Sequence, residues 1–291
     1  VRVAFIGDIP YSAWEEQRLL ALFDAFAGQV DFALHVGDLK ASRESCSDIL
    51  LERRIALLDR SPVPLLFTPG DNDWLDCWRE RAGGFDPVER LQWIRQRIFL
   101  QPKRSLGGTP EALERLGPIE QQSQLDGGPP ENLRWQAGGT CWMTLNLPGS
   151  NNGLSASIED EHRIERDRAN RRWLEAGVAR ARATGARALV IALQANPRFE
   201  RAAASEGAGR VDPSGSEDGY AAFRADLFRI QADWGRPVML LHGDTHRFRH
   251  DWLRRDLLRV ECFGSPFAQS WVKIVVDPAA TPPFRVTVEH L

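Results

Sequence analysis

Short apolar runs that end on Gly-Asp constrain this chain more than any other feature. Residues 3–7 (VAFIG), 31–37 (DFALHVG) and 63–69 (VPLLFTP) lead into Asp8, Asp38 and Gly70-Asp71, and residues 237–241 run through His242-Gly243 into Asp244. Near-continuous apolar character over such lengths predicts strands buried on both faces, as in parallel sheets. The spacers carry helical spacing: Leu19, Leu20, Leu22, Phe23 and Phe26 after the first strand, Ile49, Leu50, Ile55, Leu57 and Leu58 after the second. Strand–helix alternation of this kind reads as βαβ units of an α/β domain. In open α/β sheets ligands bind beyond the carboxyl ends of the strands, and that is where all four aspartates fall.

A single Gly-Asp is common turn chemistry. Four of them, each directly after a buried strand, predict one convergent site. Two carboxylates about 4 Å apart repel by roughly 4 kcal/mol at an effective dielectric near 20. A bound divalent ion relieves that repulsion. The plainer alternative is that each aspartate only caps the helix that follows it.

The rest of the chain is less regular. Residues 76–135 blur the pattern, with a helix expected at 86–99 and a long Gly-, Pro- and Gln-rich loop at 107–130. A strand is expected at 140–147, ending in the turn Gly149-Ser150-Asn151-Asn152-Gly153. A charged helix at about 158–184 should feed a strand at 186–193, then a loop at 207–219 and a helix at 220–234. Residues 248–252, 257–263, 271–276 and 284–288 read as antiparallel strands. Apolar content of 43% and charged content of 26% suit a soluble globular chain with a sizeable core. No stretch approaches the roughly 18 apolar residues of a membrane span, and a net charge of −3 argues against a nucleic-acid partner. The ten tryptophans are expected as core and loop packing. Cys46 and Cys77 sit just beyond two strands, in loops that can be neighbours. A disulfide between them is expected, against two free thiols in a reducing compartment, and it tilts localisation toward a periplasmic or secreted protein.

The order Asp, Gly-Asp, Gly-Asp-Asn-Asp, lone polar residue, Gly-x-Thr-His resembles the calcineurin-like metallophosphoesterases. Asn170-Arg171-Arg172-Trp173-Leu174, on the helix before the strand at 186–193, resembles that family's Trp-Leu helix. The resemblance runs from about Val1 to Val288 as one domain, with a poorly matched insertion at about 76–132. It implies a four-layer α/β/β/α sandwich of two stacked mixed sheets, with a metal site at the strand ends.

The family pattern is G-D-x-H, G-D, G-N-H-D/E, a lone His, and G-H-x-H. Here Asp8 matches the first acid, but Pro10 stands at the first His. Asp38 matches the acid that bridges both metals. Asp71 replaces the metal-binding Asn, and Asn72 replaces the His that protonates the leaving group. Gln194 stands at the lone His, Asp244 replaces the first His of the last motif, and His246 matches the second. By this resemblance the metal ligands are Asp8, Asp38, Asp71, Gln194, Asp244 and His246, with Asn72 and Asp38 in the catalytic positions. An oxygen-dominated set suits Mn²⁺ or Mg²⁺ better than Zn²⁺, as one ion or two. The implied activity is hydrolysis of a small phosphate mono- or diester through a metal-activated water. The rival is a non-catalytic metal- or ligand-binding protein on the same fold. His242, Asn151, Asn152 and Asn196 are further candidates for supporting or substrate contacts, and Arg198 stands near the mouth. His35, inside a strand, is expected to be a satisfied core histidine.

Overall fold

The structure is a computed structural model describing residues 1–101, 105–154, 160–200 and 217–291. Two mixed sheets carry the chain. In the first, β1 (Arg2–Ile6), β2 (Phe32–His35) and β3 (Leu65–Phe67) run parallel, and β11 (Ser270–Val276) and β12 (Phe284–His290) add antiparallel strands beyond β1, giving the order β12-β11-β1-β2-β3. The second uses β4 (Glu120–Gln121), β5 (Leu133–Ala137), β6 (Thr140–Thr144), β7 (Ala188–Ala192), β8 (Val238–His242), β9 (Arg249–Arg254) and β10 (Leu257–Glu261) in the order β4-β5-β6-β7-β8-β10-β9. At its centre β6, β7, β8 and β10 are parallel.

Side-chain alternation builds the layers. On β7, Val190 and Ala192 face the core shared with the first sheet, while Leu189 and Ile191 face a second core. That second core includes Trp173 and Leu174 from helix Asp160–Ala183 and Leu227 and Ile230 from helix Ala221–Trp234. Helices Ala13–Phe26 and Asp48–Leu58 cover the first sheet through Leu19, Leu22, Phe26, Leu51 and Ile55. Helix, sheet, sheet, helix is the order of layers, as the sequence implies. Between the sheets Phe32 meets Trp142 edge-on at 5.1 Å, and Trp142 stacks on Trp135. These tryptophans are packing residues, as expected.

Local signals fix the helix starts. Ser12 and Ser47 accept backbone N–H bonds from Glu15 and Leu50, and Asp86 accepts one from Glu89 ahead of Pro87. The Trp-Leu helix and the helix Ala221–Trp234 fall where expected. Residues 158–159 and 207–216 of the expected helix and loop lie outside the described residues.

Three expectations need correction. The 107–130 segment is not a continuous loop: it contains helix Pro110–Leu116, capped by Thr109, and β4 at the edge of the second sheet. Strand β5 was hidden in the blurred region because its outer half is not apolar. Residues 257–261 are antiparallel to β9 but parallel to β8, so the C-terminal strands do not form one antiparallel set.

Candidate metal centre

The aspartates stand on unusual backbone. Asp8, Asp38, Asp244 and His246 all adopt positive φ, at 53°, 58°, 82° and 62°. Asp, Asn and His tolerate this region better than bulkier residues, yet each instance costs of order 1 kcal/mol or more and concentrates at functional sites. The neighbouring glycines permit the close approach. A Cβ on Gly70 would come within 2.1 Å of Asp38 Oδ1, and one on Gly243 within 2.2 Å of Asp8 Oδ2. The glycine before one aspartate thus packs against a different aspartate, which interlocks the strand-end turns.

The described side chains converge. Asp8 accepts the Asp244 backbone N–H at 3.0 Å and faces Gln194 Nε2 at 3.5 Å and His246 Nε2 at 3.9 Å. Asp38 accepts the Asn72 backbone N–H at 3.0 Å and its amide Nδ2 at 2.7 Å. Asp244 accepts the Asn196 backbone N–H at 3.0 Å. Gly149 closes the ring, since a Cβ there would lie 2.8 Å from Asp244 Oδ1 and 2.9 Å from Asp71 Oδ1. Gln194 spends its Oε1 on the Gly149 N–H at 2.6 Å. His246 Nδ1 bonds the Ser265 carbonyl at 2.7 Å, which holds the proton there and leaves the Nε2 lone pair toward Asp8.

Burial sets the charge state of the acids. Asp8 and Asp38 are pushed well above the usual carboxylate range, first by burial and then by neighbouring carboxylates: Asp244 for Asp8, Asp71 for Asp38. Asp244 is raised to about 7 by burial and by Asp71, with Arg198 pulling the other way. Protons can meet this repulsion, or a cation can.

Several participants were not assigned from the sequence. Tyr11 donates its hydroxyl to Asp38 Oδ2 at 3.1 Å and meets the His246 ring edge-on, with centroids 5.4 Å apart. Asp73 accepts three backbone N–H groups, from Asp38 and Gly70 on Oδ2 and from Leu39 on Oδ1, and so clamps the turns after β2 and β3 together. Its spacing from Asp71 was visible, but not its role. Ser150 Oγ reaches Asp71 Oδ2 at 2.7 Å and Asp76 Oδ2 at 2.8 Å, and Arg79 pairs with Asp76.

Other candidates have different work. Asn151 clasps Glu217 and Gly219 backbone, and Asn152 bonds Asp167, Gly219 and Arg166. Both hold the neighbouring loop and are not turned to the acids. Asn196 touches the site through its backbone only, its side chain accepting the Arg198 N–H. His242 is fully buried, bonds the Gly243 carbonyl, and is pushed down to about 3 by burial, with Arg259 and Arg249 as its charged neighbours. His35 bonds the Ile9 carbonyl and accepts the Gly37 N–H, the satisfied core histidine expected. Cys46 and Cys77 form a disulfide across a separation of 31 residues, with Cα atoms 5.7 Å apart.

Among the described residues, no three His, Cys, Asp or Glu side chains form a preassembled metal cluster. The carboxyl oxygens accept from neighbouring groups: Asp8 from the Asp244 N–H, Asp38 from Asn72 and Tyr11, Asp71 from Ser150, and Asp244 from the Asn196 N–H. The donor set still fits a hard divalent cation: four carboxyls, and one imidazole whose Nε2 is turned to Asp8 and the Tyr11 hydroxyl, packed around a Gly149 that leaves no room for a Cβ.

No protein-family model matches the chain, and no curated protein sequence matches it. Among solved structures it is similar to a dimetal phosphatase from Danio rerio, with a TM-score of 0.54 and 13% identity over 94% of this chain and 91% of that one. It is also similar to a hypothetical protein from Thermus thermophilus, with a TM-score of 0.50 and 14% identity over 100% and 99% of the two chains. At such identities the likeness speaks for the fold alone. The chain therefore has the two-sheet α/β fold of the metallophosphatases.

Proposed function

We propose that this protein is a metal-dependent phosphoesterase acting on a small phosphate mono- or diester. The observation that carries the reading is the convergence of Asp8, Asp38, Asp71 and Asp244 from four strand ends and both sheets, on a fold shared with a dimetal phosphatase. Asp8, Asp38 and His246 would hold one cation, and Asp38, Asp71, Asp244 and Gln194 a second. Mn²⁺ or Mg²⁺ suits these oxygens better than Zn²⁺. A cation bound there supplies charge for the phosphoryl oxygens and lowers the pKa of a water.

The chain's own groups do the rest. Asp73 fixes the two turns that carry Asp38 and Asp71, so the acids are positioned before any ligand arrives. Asn72 hydrogen-bonds Asp38 and can hydrogen-bond a phosphate oxygen, but its amide gives up no proton to a leaving group. Activated esters with good leaving groups are therefore the best substrates. The Cys46–Cys77 disulfide supports a protein exported to an oxidising compartment. Among the described residues no helix is long and apolar enough to cross a membrane.

A second reading, a non-catalytic metal- or ligand-binding protein, has one observation in its favour: Asp38 Oδ2 is covered by both the Asn72 amide and the Tyr11 hydroxyl. The deciding experiment measures metal content after equilibration with mixed divalent ions, and turnover of aryl phosphates with Mn²⁺, in the wild type and Asp38→Asn. Metal-dependent turnover lost in the variant is expected. Stoichiometric metal in the wild type with no turnover of any phosphate ester, under any divalent ion, would favour the binding protein. Zinc retained against excess Mn²⁺ would refute the ligand assignment.

A further inference from the structure

A cavity of about 1020 Å³ lies between helix Pro87–Ile98, the segment 121–130 and helix Asp160–Ala183. None of the convergent aspartates lines it. Its two sides differ in chemistry. Trp74, Leu91 and Phe99 give it a buried apolar floor. His162 with Arg166, and Arg168 with Arg172, are i,i+4 pairs on helix Asp160–Ala183 that flank Glu165 and Ala169 in the cavity lining. Glu165 is the one carboxylate among the described lining residues. Arg95, also on the wall, has its charge met by the buried Glu131 through two bonds of 2.8 Å, and Arg172 pairs with Asp126 at 3.3 Å, which leaves Arg166 and Arg168 to face a ligand.

Arg166 is the strongest sign of a ligand. It is 6% exposed and lies over the Trp74 ring, 5.2 Å from the centroid. Its Nη2 donates to the backbone and side-chain oxygens of Asn152, neither of them charged, while Nε has no partner. Trp74 Nε1 is likewise a buried donor without a partner. Buried donors and buried charge are costly when unpaired. Two such residues in one cavity wall, beneath a cationic rim, suit an incoming acceptor. The volume is at the upper end for small-molecule sites, and an apolar floor with a few convergent polar groups is their usual make-up.

We propose that this cavity binds a small organic anion: an aromatic or branched apolar body carrying a single phosphate, phosphonate, sulfonate or carboxylate. The apolar body lies on Trp74, Leu91 and Phe99, and the anionic head faces the arginines, whose planar guanidinium matches such oxyanions. The site is separate from the aspartate centre and does not depend on the activity assigned to it.

The test titrates phenylphosphonate, inorganic phosphate and benzylamine into EDTA-treated protein by calorimetry. Two variants change exposed lining residues: the charge reversal Arg168→Glu, and Leu100→Asp at a side chain that is 72% exposed. Stoichiometric binding of phenylphosphonate is expected, with weaker binding of phosphate and none of benzylamine. Each variant should weaken phenylphosphonate by about tenfold or more, as loss of a charge-assisted contact or of apolar contact requires. Circular dichroism and melting temperature, unchanged at exposed positions, show that folding is not the cause. Equal affinity in the charge-reversal variant overturns the proposal. So does binding that appears only when Mn²⁺ is restored, since it would then belong to the aspartate centre.

Discussion

Replacing Asp244 with asparagine should stabilise the metal-free protein, and the gain should disappear on acidification. Asp244 is held at about 7 by burial and by the charge of Asp71, whereas an unfolded aspartate titrates near 3.9. A raised carboxyl contributes fully to folding below its unfolded value, and that contribution is lost as pH rises through the folded value. At pH 8 the ionised side chain therefore costs the native state about 4 kcal/mol. Asparagine has the same shape without the charge. That figure already contains the weakening of the Asn196 N–H bond on neutralisation, so the gain for Asp244→Asn at pH 8 is about 4 kcal/mol, or roughly 6 °C in melting temperature for a chain of 291 residues. By pH 5 Asp244 is protonated in the native state but still largely ionised in the unfolded chain, so the gain falls to about 1.5 kcal/mol and reaches zero only below about pH 3.9. The buried histidines His35 and His242 destabilise the native state on acidification, but equally in both proteins, so the difference reports Asp244 together with Asp8, whose proton the Asp244 charge helps to hold. The assay is thermal unfolding of both proteins in EDTA at pH 5, 6, 7 and 8, repeated with Mn²⁺. With the cation present the sign should reverse, because the variant has lost a ligand. A variant less stable than the wild type at every pH in EDTA would refute the account of crowded, unneutralised acids. An unchanged gain in Mn²⁺ would show that no cation engages Asp244.

Asn72→His should raise turnover of alkyl phosphates more than that of aryl phosphates, since general-acid assistance is typically worth about 10²–10⁴-fold where the leaving group is poor; steady-state rates on a matched pair of esters check it. Cys46→Ser/Cys77→Ser should cost about 3–4 kcal/mol in urea unfolding, the chain-entropy value for a closed loop of this length. Because Cys46 and Cys77 follow the turns carrying Asp38 and Asp71, Mn²⁺ affinity should fall with it. Gly149→Ala should leave the fold intact but weaken Mn²⁺ binding, its Cβ meeting both Asp71 and Asp244 at under 3 Å.

The strand-end aspartates were legible because two signals coincide at each: an apolar run long enough for a buried strand, and a Gly-Asp pair that can turn sharply. Residue type carried both. The roles of Tyr11, Asp73 and Ser150 were not legible in the same way. Each depends on which loop lies beside which, and that is decided by sheet order. Asp73 reaches the turn after β2 only because β3 is the parallel neighbour of β2. Ser150 reaches Asp71 because the turn after β6, in the other sheet, is laid against the turn after β3. Asn151 and Asn152 misled for the same reason. Their composition is that of a polar turn at a strand end, but Ser150 faces the acids while Asn151, the very next residue, faces the 217–219 backbone.

The substitutions relative to the family pattern gain a physical sense from this geometry. Where histidines would stand, this chain has Pro10, Asn72, Gln194 and Asp244, and Asp71 stands at the Asn; all but Pro10 make a defined polar contact. Gln194 ties Gly149 on one side and Asp8 on the other. Asn72 holds Asp38 twice. Asp244 takes the Asn196 N–H and gives its own to Asp8. The polar replacements keep the turns bonded to one another, at the expense of raising the charge density of the pocket. That exchange of imidazole for carboxylate is stable only if protons or cations fill the difference, and above neutral pH Asp244 no longer keeps its proton.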